Sequence, residues 1–197
     1  MDVFEAIRTT RAMRRLDPSR DVSDADIRTI LEAAAKGPSG GNSQPVRWMV
    51  VRDPERRRRL GELYQAAWAP VSEMYRARTR EGSSTARVLN SADHLGNHMG
   101  DAPVIIIPCA PGSAESSVYG ALQNLMLAAR ALGLGTTLTT VHRMREGEVR
   151  ELLGIPADIN TWAMVPVGYP LGKWAEARRL PYEEVTYWDQ WGDPPPA

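Results

Sequence analysis

The sequence predicts one domain that mixes α-helices with short apolar strands. Three observations support this. Apolar residues recur at helical spacing in Ile27, Ile30, Leu31, Ala34 and Ala35, and again in Val118, Ala121, Leu122, Leu125, Met126, Ala129 and Leu132. Short apolar runs at 46–51 and 104–108 have strand length, and the second is continuous enough for the middle of a sheet. The 197 residues hold no internal repeat and suffice for one substantial core.

Composition bounds the function. Formal net charge is zero, so no overall field favours nucleic acid or an anionic membrane. The single Cys109 excludes an intramolecular disulfide and a cysteine-based zinc site. No apolar run approaches the roughly 20 residues of a membrane span, and residues 1–11 lack the apolar centre of a secretion signal. The expectation is a soluble cytoplasmic protein.

Along the chain, Asp2 and Glu5 have capping-box spacing, opening a helix that runs into Arg8-Thr9-Thr10-Arg11-Ala12-Met13-Arg14-Arg15-Leu16. On a continuous helix Arg8, Arg11 and Arg15 share one face, either solvated or set against a phosphate at the core edge. Ser23 and Asp26 open the next helix, which ends at Gly37. Residues 55–80 read as one helix with Leu60, Leu63, Tyr64, Ala67, Trp68, Val71 and Tyr75 on one side and Arg56 to Arg59 on the solvated side. Glu81-Gly82-Ser83-Ser84 reads as a mobile loop. Asp93-His94 and His98 read as helix-surface residues rather than a metal site, because Leu95 stands where a zinc-protease pattern needs Glu.

Cys109, directly after the second strand, reads as a buried and inert thiol. The long helix over 118–132 reads as buried almost all round and stops at Gly133-Leu134-Gly135. This Gly-x-Gly follows a helix and precedes a strand, the reverse of a dinucleotide-binding turn. Strands are expected at 136–140 and 161–167, with Pro166 marking an edge or a strand end. A short helix over 146–153 ends at Gly154-Ile155-Pro156. The tail carries Tyr182, Tyr187, Trp188 and Trp191, an exposed aromatic set suited to packing on a second subunit.

Between the second helix and the first strand lies Gly37-Pro38-Ser39-Gly40-Gly41-Asn42-Ser43-Gln44-Pro45. Prolines bar helix on either side and glycines permit left-handed backbone. One reading is a connection rich in turn residues. The other is a loop whose N–H groups, hydroxyls and amides face a flat polar ligand. Asn42 and Gln44 weaken the first, because a turn has no need of large amides, and the loop by itself leaves both open.

Five stretches in order resemble the nitroreductase-like family of FMN-dependent oxidoreductases. They are Thr10-Arg11-Ala12-Met13-Arg14, Pro38-Ser39-Gly40-Gly41-Asn42-Ser43-Gln44-Pro45, Gly133-Leu134-Gly135, Val167-Gly168-Tyr169-Pro170 and Arg179-Leu180-Pro181. The resemblance implies an α+β fold with a central, mostly antiparallel sheet flanked by helices. It also implies an intertwined homodimer, with FMN at the interface and tails exchanged. By the same resemblance Arg11, Arg14 and Arg179 hold the FMN phosphate and the polar ring edge. Pro38, Ser39, Gly40 and Asn42 reach the flavin of the other subunit, and Thr139 and Thr140 lie opposite its N5. Thr10 and Ala12 stand where the family often has Arg and Ser, so phosphate contacts there are reduced, with Arg15 or Arg178 as candidates to compensate.

The implied activity is ping-pong hydride transfer from NADH or NADPH to a nitroaromatic, quinone or activated alkene, with solvent supplying protons and no side chain assigned as an essential acid. Two alternatives stand beside it. One is a specialised reaction such as dehalogenation, flavin cleavage or ring dehydrogenation, set by a lid over 60–90. The other is a low-turnover flavin-binding or storage protein. Tyr64, Trp68 and Tyr75 are either stacking groups of that lid or core residues.

Overall fold

The computed structural model describes residues 1–196. Six helices, α1 (Val3–Thr9), α2 (Asp24–Ala34), α3 (Pro54–Arg76), α4 (Ser84–His98), α5 (Glu115–Ala131) and α6 (Glu146–Leu153), surround one five-stranded sheet. Its strands are β1 (Arg47–Val51), β2 (Val104–Ala110), β3 (Gly135–Thr136), β4 (Asn160–Thr161) and β5 (Val165–Gly168), in the order β1-β2-β5-β3, with β4 also on β2. All these pairings are antiparallel. The fold is α+β, as expected. No helix among the described residues is long and apolar enough to cross a membrane.

The seven residues of β2 are all buried, and the two-residue period of a strand divides them between two cores. Val104 and Ile106 face a layer built from Ile27, Ile30, Leu122 and Leu125 of α2 and α5. Ile105, Ile107 and Cys109 face Leu60, Tyr64 and Trp68 of α3, Leu95 of α4 and Val149 of α6. Each such aliphatic side chain contributes about 1.5–3 kcal/mol through burial, so this strand anchors both layers. Cys109 is buried as expected, and the apolar surroundings push its thiol pKa up to about 11. Side-chain caps form where the sequence places them, with Asp2 accepting from the Glu5 N–H at 2.8 Å and Ser23 from the Asp26 N–H at 3.0 Å.

Four local expectations need correction. First, α1 stops at Thr9, so Arg8, Arg11 and Arg15 do not share a helical face. The Thr9 and Thr10 hydroxyls donate back to the Glu5 and Ala6 carbonyls at 2.7 Å, and the chain then extends to pair with the sheet. There Ala12 bridges Thr136, and the Met13 N–H donates to the Thr136 carbonyl at 2.8 Å. Second, the helix expected over 55–80 ends at Arg76, and α4 follows as a separate element capped by Ser83. Third, the strand expected over 136–140 pairs only through Thr136. Thr139 returns to the sheet by a single bridge to Met164, which leaves Thr137 and Leu138 free of the ladder. Fourth, the strand expected over 161–167 divides into β4 and β5, and Pro166 is the second residue of an interior strand. It is accommodated there because β3 pairs only with Val167 and Gly168.

Candidate functional site

Arg14 lies where three cavities meet. The extended segment after α1 holds it there, with Met13 buried against the sheet and Arg14 on the other side of the chain. Its guanidinium is half-buried, and burial lowers its pKa, against a smaller upward effect from Tyr64. Among the described residues Arg14 has no ion pair and donates no side-chain hydrogen bond. A partly desolvated cation with five unspent N–H groups suits a planar anionic or carbonyl-rich ligand.

The first cavity, about 310 Å³, is mostly apolar. Tyr64, Trp68 and Tyr75 of α3, Val88, Leu89 and Leu95 of α4, and Thr137, Leu138 and Thr139 after β3 line it. Tyr64 and Trp68 are also core residues, the second of the two readings of these aromatics, whereas Tyr75 is exposed. The Tyr64 hydroxyl lies 2.9 Å from Thr139 Oγ1, and burial raises the Tyr64 pKa. Trp68 Nε1 donates to Asp93 at 2.8 Å, which fixes the indole. The second cavity, about 330 Å³, lies between Leu16, Pro166 and the His94–His98 pair. His94 and His98 stack at 4.4 Å, and His98 Nδ1 is 2.8 Å from Asp101. No cluster able to hold a metal occurs among the described residues.

The third cavity is the largest of the three, about 700 Å³, and is lined by Arg11, Ala12, Arg14, Arg87, Arg178 and Arg179 together with Ser84, Ser91 and Glu176. Of the N-terminal candidates, Arg11, Ala12 and Arg14 therefore gather with Arg179. Thr10 instead spends its hydroxyl on the Ala6 carbonyl, and Met13 packs under Gly135, where an added Cβ would lie 2.8 Å from the Met13 Cβ. Thr139 joins the aromatic cavity. Thr140 lines a separate open recess with Tyr119, Arg143, Met144 and Glu146.

The loop candidates lie elsewhere. Pro38 and Ser39 line a cleft of about 170 Å³ with Gln44, Trp48 and Ser117, and it shares no residue with the arginine cavity. Gly40 and Asn42 are exposed on a short 3-10 turn. Gly41, Asn42 and Gln44 have φ of 57°, 54° and 47°. Two non-glycine residues in the left-handed region cost roughly 1–2 kcal/mol each, and Ser39 closes the turn by accepting from the Gln44 N–H at 3.0 Å.

Sequence reasoning missed Arg87, Thr137 and Leu138. The last two escaped because a strand was expected through them. Arg87 carried one available signal, a cation near a helix N-terminus where an acid is favoured.

Behind the Thr139–Thr140 segment, His142 is fully buried. Its Nε2 is 3.1 Å from the Thr161 carbonyl, so Nε2 carries the proton and donates. Thr161 in turn donates its N–H and hydroxyl to Glu146 at 2.6 and 2.9 Å. The remaining Nδ1 has no partner, and burial pushes the His142 pKa down to about 4.

The sequence profile of the Nitroreductase family matches residues 7–169. The chain is an oxidoreductase of the Nitroreductase family. An Archaeoglobus fulgidus protein, provisionally named NADH dehydrogenase/NAD(P)H nitroreductase, is 31% identical over 171 residues, covering 82% of each chain. A Desulfovibrio desulfuricans protein solved in complex with FMN, and provisionally described as a nitroreductase, is 28% identical with a TM-score of 0.68. That alignment covers 94% of this family member and 95% of the other chain. Oxidized iodotyrosine deiodinase bound to FMN and 3-iodo-L-tyrosine shares the fold, with a TM-score of 0.75 at 22% identity over 90% and 95% of the two chains.

Proposed function

We propose that this chain is a cytoplasmic, homodimeric FMN-dependent NAD(P)H oxidoreductase. The observation that carries the reading is the unspent, half-buried Arg14 guanidinium at the junction of an apolar cavity and an arginine-lined one. That donor set fits FMN, which presents a phosphate near charge −2 and a flat ring with a carbonyl-rich edge. Arg11 and Arg179 hold the phosphate through paired N–H donors, and Arg14 faces the ring edge that becomes negative on reduction. When bound, FMN supplies hydride exchange at its ring between NADH or NADPH and an electron-poor acceptor such as a nitroaromatic, quinone or activated alkene.

The chain's own residues position and exclude. Thr139, tied to Tyr64, presents a fixed hydroxyl at the cavity wall. Leu89 and Leu95, both buried, keep water from the seat of the acceptor. Pro38, Ser39, Gly40 and Asn42 complete the site from a second copy, which accounts for a polar loop exposed and separate from Arg14 in a single chain. Phe4 of α1, 68% exposed, and Trp191 of the tail, 87% exposed, belong to the surface that the second copy covers.

The test is the visible spectrum of the purified protein, followed by anaerobic NADH and NADPH and then a nitroaromatic. A flavin band that bleaches with a nicotinamide and returns with the acceptor is expected. A protein that neither retains nor takes up FMN overturns the reading.

A further inference from the structure

Five arginines line the 700 Å³ cavity, from the segment after α1 (Arg11, Arg14), from α4 (Arg87) and from the tail (Arg178, Arg179). Among the described residues none of the five has a carboxylate partner. The acid in the lining, Glu176, pairs with Arg8 at 3.3 Å. Elsewhere among the described residues several arginines do find carboxylates, although others on the surface do not. The chain has 24 acidic and 24 basic residues, and Arg58, Arg59 and Arg145 all find Glu partners three or four residues away. The cavity is therefore a place where positive charge is gathered and left uncompensated.

One phosphate monoester does not use all of it. With Arg11 and Arg179 on that phosphate and Arg14 at the ring edge, Arg87 and Arg178 remain. Arg87 is the fourth residue of α4, near the positive end of the helix dipole, in a helix with no acid in its first turn. A cation there works against the helix, so helix stability does not explain it.

We propose that Arg87 and Arg178 form a second anion subsite, which takes the adenosine 2′-phosphate of the nicotinamide donor and makes NADPH preferred over NADH. The two donors differ by that one phosphate, so selectivity requires guanidinium groups beyond those the cofactor occupies. The proposal rests on the FMN reading above.

The experiment titrates the FMN-loaded protein with adenosine 2′,5′-bisphosphate and with AMP by calorimetry, after the flavin stoichiometry has been read. The bisphosphate is expected to bind about tenfold more tightly, as charge-assisted hydrogen bonds to one extra phosphate allow, with a margin that shrinks as salt rises. Arg87→Gln should remove most of that margin with flavin stoichiometry intact, and Arg87→Lys should restore part of it. Equal binding of the two probes, or a margin that survives the Arg87→Gln/Arg178→Gln pair, overturns the subsite. Loss of FMN from Arg87→Gln also overturns it, by placing that side chain on the cofactor phosphate. Failure of the wild-type chain to take up FMN is a separate result, seen before either probe is added. It removes the flavin reading and the subsite together.

Discussion

The Tyr64 hydroxyl and Thr139 Oγ1, 2.9 Å apart, tie the middle of α3 to the segment that leaves β3. Thr139 also accepts from the Val141 N–H at 3.4 Å. The pair fixes one wall of the aromatic cavity and removes a buried phenol's need for water. Tyr64→Phe should cost about 1 kcal/mol, the net worth of a typical hydrogen bond, lowering Tm by roughly 2–4 °C for a chain of this size. A double-mutant cycle with Thr139→Val should return a coupling near that value. Additive effects of the two changes would mean that the bond contributes nothing.

Arg14 makes a sharper contrast. Because its guanidinium is partly desolvated and unpaired in the free chain, Arg14→Gln should leave the stability of the cofactor-free protein unchanged or raise it. FMN affinity should fall about 10- to 100-fold, the range for a lost charged hydrogen bond. Arg14→Lys should fall between, keeping charge but not the planar fork. Flavin fluorescence titration beside urea unfolding separates the two effects. A variant that destabilises the free chain while binding FMN normally would reassign Arg14 to structure.

Gly96 is a packing requirement of the same wall. A Cβ there would stand 2.2 Å from Trp68 Cδ1, and Trp68 cannot swing freely while it donates to Asp93. Gly96→Ala should destabilise by about 1–3 kcal/mol through overpacking, and Trp68→Phe in the same chain should recover part of that loss. Urea midpoints of the single and double variants decide it. An undamaged single variant would show that α4 can move away from α3 at no cost.

His142 sets an acid limit on stability. Its folded pKa, about 4, lies below the ordinary 6.5, so the unfolded chain takes up a proton that the folded chain refuses. The stabilisation is full above pH 6.5, is lost as pH falls from 6.5 to 4, and levels off below. The shift corresponds to roughly 3 kcal/mol. In His142→Gln, which keeps a donor for the Thr161 carbonyl, the fall in stability between pH 7 and 4 should be smaller by about that amount. Parallel pH profiles for the two proteins would remove His142 from the account.

The cores were legible because burial obeys period. Ile27, Ile30, Leu122 and Leu125 are in the layer that their helical spacing indicates, and residues 104–108 form the strand that two cores share. The places that resisted reading are those where tertiary pairing outweighs local preference. Residues 11–16 extend to meet Thr136 and Pro170 instead of continuing α1, and Thr137 and Leu138 leave the ladder to line a cavity. Arg11, Arg14 and Arg179 meet although 167 residues lie between the outer two, a closure that the resemblance supplied and no spacing in the chain encodes. Arg87 joins them only because α4 exists as a separate helix.

The division between the loop at 38–42 and the arginine cavity yields the last prediction. A Cβ added at Gly40 meets nothing within 4 Å, and its φ lies outside the left-handed region that disfavours side chains. Gly40→Glu should therefore fold as well as the parent. In a site completed by a second copy, the same carboxylate lies beside the ligand that Arg14 holds, and FMN binding should be lost. Arg14→Gln weakens the site from the other side, leaving it empty at an FMN concentration set between the affinities of the parent and of that variant. In a two-fold dimer, refolding the two variants together in equal amounts pairs half the chains unlike with unlike. Each mixed dimer then has one intact site, so roughly one site in four should regain FMN. Flavin fluorescence of the mixture against each variant alone reads the result. If the mixture binds no more FMN than its components, the loop does not complete the site across a dimer. If Gly40→Glu alone binds normally, the loop does not approach the cofactor at all.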